Sequence, residues 1–152
     1  MPPRPLSFKD AEEAIAEAER LLRAGYERGG TWDLAQVCDH VTFFAKGPIE
    51  GWSFKVPWLL KALFGKLALR RILKSRSMGK RVPTPQKPLP APGGDERAAV
   101  GRFREALLRL ESHAGPFHPS PFFGELTPAE WRELNLIHAA HHLGYLIPKS
   151  EG

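Results

Sequence analysis

The residues with the richest chemistry are the six histidines, and three of them fall into register. His138 and His142 are four residues apart, so on a helix they lie about 40° apart around the axis and can reach a common ion. They share a helical face with Trp131, Leu134, Asn135 and Tyr145, which turns the pair towards an interior rather than towards water. His40 stands on a second apolar line, with Gln36, Val37, Phe43 and Phe44. Three neutral imidazoles from two facing helices suit a divalent ion, Zn²⁺ or Ni²⁺ first, with Fe²⁺ and Mn²⁺ as further candidates. Such a site leaves positions open for water or a substrate. It requires the ring nitrogens to come within about 3–4 Å of one another. The competing explanation is that each buried histidine only satisfies a hydrogen bond, because an i, i+4 pair is by itself a short motif.

The other reactive side chains are less well placed. His141 is one residue from His142, about 100° around the axis, which makes it a rim group rather than a ligand. His113 and His118 fall at a helix end and in a Pro-rich loop, where exposure to solvent is expected. Cys38 points about 200° away from His40 and reads as a small buried apolar residue. Asp39 is about 100° from His40, and no acid shares the inward stripe of the last helix, so no carboxylate is expected beside the ion. Asp33, Gln36, Asn135 and Tyr145 lie about a turn from the histidines and could orient an imidazole or contact a substrate. Nothing singles out a catalytic residue. Gly-rich phosphate loops, Cys-x-x-Cys pairs and Gly-x-Ser-x-Gly elbows are absent.

The elements that must position these residues read as almost entirely helical. Ser7 with Asp10 suggests a helix start, followed by a stripe of Phe8, Ala11, Ile15, Ala18, Leu22 and Gly25, with Gly29-Gly30 as the stop. Thr31 or Asp33 caps a second helix that Gly47-Pro48 should end. A third runs from Pro57 or Trp58 to about Met78, a fourth starts at Asp95, and a fifth starts at Thr127-Pro128-Ala129-Glu130, a capping box with proline at its preferred first position. Pro148 should close that last helix near Ile147. The expected architecture is all-α and a single domain over residues 1–152. Bundle helices over 6–29, 32–46, 95–114 and 127–147 surround the site, with no competing strand pattern. Residues 51–94 form an insert, a basic helix followed by a Pro-rich connection over 82–94 that holds five prolines.

At 152 residues and 42% apolar composition the chain can build one ordinary core. It has no apolar run of 18 residues and no apolar leader, and one cysteine favours a reducing, cytoplasmic setting. The net charge of +5 is unevenly spread. From Gly51 to Gly94 there are ten Lys/Arg and no Asp or Glu, so the rest of the chain carries a balance of −5. The bland reading of the basic helix packs Leu59, Leu63 and Leu67 on the bundle, with its cations snorkelling outward towards helix 1 acids such as Asp10, Glu12, Glu13, Glu17 and Glu19. A membrane surface or nucleic acid bound through this helix is the alternative.

Two segments, WDLAQVCDHV (Trp32 to Val41) and FFGELTPAEWRELNLIHAAHHLGYL (Phe122 to Leu146), resemble the signature stretches of the DinB/YfiT-like metalloenzyme superfamily. The resemblance is closest to its uncharacterised branch, domain of unknown function 1569. It rests on the Trp-x-Leu-x-Gln-x-x-x-His opening, the Phe-Gly-x-Leu-Thr turn, the later Trp and the His-x-x-His-His-Leu ending. It implies a four-helix bundle in which three histidines, carried over as His40, His138 and His142, hold a divalent metal. The position of His141 is commonly aromatic or polar in relatives and is not a ligand there. Some superfamily members transfer low-molecular-weight thiols or isomerise thiol adducts, and many pair into homodimers. The resulting expectation is a metal-dependent enzyme acting on a small-molecule substrate, with thiol-transferase or hydrolase-like chemistry. Its alternatives are a binding protein with a structural or vestigial metal site, and a membrane- or nucleic-acid-associated module working through the basic helix.

Overall fold

A helix begins where a side chain can occupy the free N–H groups of its first turn. The computed structural model describes residues 2–79 and 90–150. Its elements are α1 (Ala11–Ala24), β1 (Tyr26–Arg28), α2 (Leu34–Glu50), α3 (Trp58–Leu60), a π-helical turn (Lys61–Gly65), α4 (Lys66–Ser75), α5 (Glu96–Ser112), α6 (Pro128–Leu143) and β2 (Leu146–Pro148). The four long helices each have a side-chain cap. Asp10 accepts from Glu13 N at 2.9 Å, Asp33 from Gln36 N at 2.9 Å, Asp95 from Ala98 N at 3.0 Å and Thr127 from Glu130 N at 3.1 Å. On the two helices that carry the paired histidine segments, α2 and α6, the cap is a complete capping box.

Those four helices share one core. Ala14, Ile15, Ala18 and Leu21 of α1 meet Leu34, Val37, Cys38 and Val41 of α2, Phe103, Leu107 and Leu110 of α5, and Leu136, Ala139 and Leu143 of α6. The small residues of α1 let the helices come close, and Phe103 and Ile15 fill the centre. A second, smaller cluster lies at the other side of α6. There Leu69 and Ile72 of α4 pack with Phe123, Leu126, Trp131, Leu134 and Ile137.

Several boundaries differ from the sequence expectations. α1 starts at Asp10, not Ser7, whose hydroxyl instead accepts from Arg76 Nε at 3.2 Å. α1 ends at Gly25, where φ is +74°, rather than at Gly29-Gly30. The next three residues form β1, which pairs antiparallel with β2 in the register Tyr26↔Pro148, Glu27↔Ile147 and Arg28↔Leu146. The chain is therefore mostly helical but not free of strands, and α6 stops at Leu143 rather than running to Ile147. α2 continues through Gly47-Pro48 to Glu50. A proline in a last turn loses one helical N–H, and the glycine at 51, with φ +90°, supplies the actual stop. Residues 80–89, most of the expected Pro-rich connection, lie outside the described residues. Its described end is tied down: Pro90 O accepts from Gln36 Nε2 at 3.1 Å, and Gly93 N donates to the Asp33 carboxylate at 2.7 Å.

The end of α6 is also clamped. The Arg4 guanidinium donates to the carbonyls of Leu143 and Leu146 and to Glu17 at 2.6 Å. A cation on the terminal carbonyls complements the helix dipole and satisfies groups that have no helical partner. With β2 paired to β1, this fixes the last turn of α6, the turn that carries His142.

Candidate metal centre

α2 and α6 each bring their histidines to the same point. His40 Nε2 lies 3.1 Å from His138 Nε2, and His142 Nε2 lies 3.1 Å from the same atom. One ligand-capable atom from each of the three falls within 4.8 Å of the others. His40 and His138 are buried and His142 is half-buried. The i, i+4 spacing on α6 sets the second distance, and the capping box of α2 fixes the first by holding His40 two turns from its start.

Aromatic side chains hold the rings. Trp32 stacks on His142, with centroids 5.0 Å apart and planes 16° from parallel, and tilts against His40 at 4.8 Å. Phe44 packs against His40 at 5.0 Å and against the edge of His138 at 5.2 Å. The polar neighbours that could orient the imidazoles make no hydrogen bond to them among the described residues. Asp33 and Gln36 cap α2, and Asn135 Nδ2 donates to Trp131 O at 3.1 Å. Tyr145 meets the edge of His141. Asp39 turns away and forms a two-pronged pair with Arg102 at 2.8 and 2.9 Å.

Burial makes this cluster electrostatically unusual. Desolvation, with a smaller contribution from His141, pushes His40 down to about 4. His142 is pushed down to about 2, again chiefly by burial, and His138 is held well below the ordinary histidine range by burial and by the other three imidazoles. Near neutral pH all three rings are therefore neutral, the form that ligates a metal. Nitrogens 3.1 Å apart need a proton or a cation between them, since facing lone pairs or facing N–H groups repel. One N–H can serve only one contact at a time, so a divalent cation fits this donor set better than hydrogen bonds alone do. The donors are borderline-soft nitrogens, which suits Zn²⁺, Ni²⁺ or Fe²⁺.

The cluster forms one wall of a cavity of about 450 Å³, within the usual size for a small-molecule site. Trp32, Phe44, Trp52, Phe122, Trp131 and Leu134 give it apolar walls, and His141, Asn135, Tyr145 and Ser120 add polar edges. No Asp, Glu, Lys or Arg lines it among the described residues. Three buried polar atoms on the lining residues, Trp52 Nε1, Trp131 Nε1 and Asn135 Oδ1, have no hydrogen-bond partner. Such atoms are costly to leave unmade, about 1–3 kcal/mol each.

The structure thus brings together His40, His138 and His142 and sets His141 at the cavity edge, half-buried, 4.9 Å from the His142 ring. His118 is exposed as expected, whereas His113 is half-buried and reaches the Pro116 carbonyl at 3.0 Å. Cys38 is fully buried in the main core, where desolvation pushes its thiol well up. One further wall residue, Trp52, is not among the candidates drawn from the sequence. Trp52 stacks on Trp131 at 6.2 Å and packs on the open backbone of Gly47. The signal available was the Gly47-Pro48 pair, which marks a surface that another side chain can approach closely.

No curated protein and no solved structure matches the chain. The profile of a family described as protein of unknown function (DUF1569) does match, over residues 1–149, and spans both histidine segments, the cavity walls and the basic helix; the chain belongs to that family.

Proposed function

We propose that this protein is a metal-dependent enzyme in which His40, His138 and His142 hold one divalent ion, Zn²⁺ or Ni²⁺, at the wall of the aromatic cavity. The observation that carries the proposal is the convergence of ring nitrogens from two buried histidines and the half-buried His142 beside a cavity with room for a substrate. The all-helical core and the spacing of the histidines further support placement with the DinB-like bundles. The bound ion would act as a Lewis acid, polarising a substrate oxygen or lowering the pKa of a bound water or thiol.

The chain's own residues do the rest. Trp32 and Phe44 pack on the imidazoles and set their ring planes, and all three histidines line the cavity. The aromatic walls take the apolar part of a small molecule and exclude water around the reacting group. His141, half-buried at the edge with its pKa lowered by burial, is placed to exchange a proton with a group entering the cavity. With no Asp, Glu, Lys or Arg on the described wall, a negative charge on the substrate would be met by the ion, with the unpartnered Trp52 and Trp131 N–H groups beside it. A low-molecular-weight thiol, anionic at the sulfur once bound, fits that arrangement.

The test is elemental analysis of protein purified without an affinity tag or chelator, followed by a screen of thiols with electrophilic acceptors. The proposal expects about one equivalent of divalent metal and turnover that a chelator stops and the metal restores. Stoichiometric metal without turnover would point instead to a binding protein with a structural ion. Protein that neither retains nor takes up metal would end the proposal.

A further inference from the structure

We infer that residues 58–75 are a docking element for the surface of an anionic lipid bilayer. The argument starts from a reversal of the usual burial pattern. Trp58, Leu59, Leu60, Leu63, Phe64 and Leu67 are between 52% and 74% exposed, the large exposed apolar side chains among the described residues. All six fall within ten consecutive positions, a concentration of the kind that marks an interaction site rather than scattered surface leucines.

The opposite side of the same segment is firmly packed. Gly65, Leu69 and Ile72 are buried, and Leu69 and Ile72 join Phe123, Leu126, Trp131 and Ile137. A Cβ at Gly65 would stand 2.6 Å from the Phe122 carbonyl, so glycine is what lets the segment seat there. Steps of three and four back from Gly65 lead to Lys61 and Trp58, but the π-helical turn shifts the register and Trp58 is 74% exposed. The apolar surface is therefore held outward by a fixed helix.

Charge selects the occupant. Arg70, Arg71 and Lys74, with Lys55 just before the helix, are exposed and have no acidic partner among the described residues. The large exposed apolar side chains thus fall within 58–67, where Lys61 and Lys66 accompany them, and the cations Arg70, Arg71 and Lys74 follow. Residues 51–94 contain no Asp or Glu. An isologous pairing of two copies through this surface would bring like charges together with no acid from the segment to meet them. Nucleic acid would use the cations but leave six large apolar residues in water. A bilayer with anionic headgroups satisfies both halves: Trp, Leu and Phe enter the headgroup–acyl boundary and the arginines and lysine stay among the phosphates. No helix of the described residues is long and apolar enough to span, so the element lies on the surface.

This inference is independent of the metal proposal, and metal content measured on the same preparation keeps the two apart. The experiment floats the full chain with vesicles of phosphatidylcholine alone and of phosphatidylcholine with 30% phosphatidylserine (about 100 nm), at low salt and at high salt. The expected result is binding at least tenfold tighter to the anionic vesicles, weakened by salt, with a blue shift of emission that Trp58→Phe removes. Two variants at exposed positions separate the contributions: Leu63→Gln with Leu67→Gln, and Arg70→Gln with Arg71→Gln and Lys74→Gln. Each should lower binding about tenfold or more while circular dichroism stays unchanged. Absence of binding to either vesicle overturns the inference. So does a dimer that the leucine variant dissociates without any vesicle binding, or duplex-DNA binding that only the cation variant abolishes.

Discussion

Two helical regions depart from the rule of apolar inside and polar outside, in opposite directions. α6 takes Asn135 and His138 into the interior, where they are 3% and 8% exposed. The segment 58–75 leaves six large apolar side chains in solvent while burying a glycine beside Leu69 and Ile72. Neither arrangement is what stability alone would select, since a buried imidazole loses hydration and an exposed leucine gains nothing from folding. In α6 the anomaly is inward and confined to one wall of a cavity. In 58–75 it is outward and continuous with a run of cations. On the two proposals above, the first would concentrate donors on a small ligand and the second would present surface to a bilayer.

The sharpest way to break the comparison is to remove the central donor. His138 Nε2 is the atom that both other histidines approach. His138→Ala should abolish metal retention, with affinity by isothermal titration calorimetry falling more than the roughly 10–100-fold typical of losing an orienting partner. An unchanged affinity would remove α6 from the site. Next in size is Leu69→Ala on the packed side of α4. Leu69 is 1% exposed, so about 2–5 kcal/mol should be lost in urea unfolding. A negligible loss would mean that the segment is not seated on α6 at all.

The third outcome is a pH dependence of the metal-free protein. Above pH 6.5 His40 is neutral in both the folded and the unfolded chain. As pH falls below 6.5 the unfolded chain takes up protons that the buried ring, held at about 4, does not. Stability therefore falls with falling pH from about 6.5 to 4, by on the order of 3 kcal/mol for His40 alone. His138 and His142, shifted in the same direction, add to the loss. Urea unfolding between pH 7 and 4.5 measures it, and His40→Gln should flatten the slope. The smallest effect belongs to the outward side of the basic segment. Leu67, 70% exposed, should change stability by no more than about 0.5 kcal/mol as Leu67→Ala. A larger loss would show that this surface is covered within the protein itself.

The histidine cluster was legible because its signals are local: an i, i+4 pair, an apolar stripe around His40, a cap at Thr127, and Thr31 or Asp33 as the other cap, of which the structure uses Asp33. The resemblance over Trp32 to Val41 and Phe122 to Leu146 pointed to the same three residues, and the chain's family agrees with the branch it suggested. The β1–β2 pair was not legible, because three-residue strands leave no alternation to read. The facing of 58–75 was misread for a different reason. The segment has apolar residues on nearly every side, so periodicity gives no unique inward direction, and the π-helical turn shifts the register midway. Leu59, Leu63 and Leu67, expected on the core, are exposed, while Gly65, Leu69 and Ile72 are buried. Among the described residues the helix 1 acids that form ion pairs do so outside the insert: Glu17 with Arg4 and Arg20, and Glu19 with Arg104. Within the described part of the insert it is Arg76 that forms an ion pair, with Glu133 of α6.

Gly47 reads in the sequence as punctuation, yet in the folded chain it is a socket. A side chain there would run into the Trp52 ring, whose nearest atom would be 2.2 Å away. Trp52 is a wall of the cavity, and Gly47 is not among the residues that line it. The depth of the chamber is therefore governed from behind, by a position that never meets its contents. Changes at 47 would move the tryptophan and reshape the room available to a substrate without altering any ligand-contacting residue.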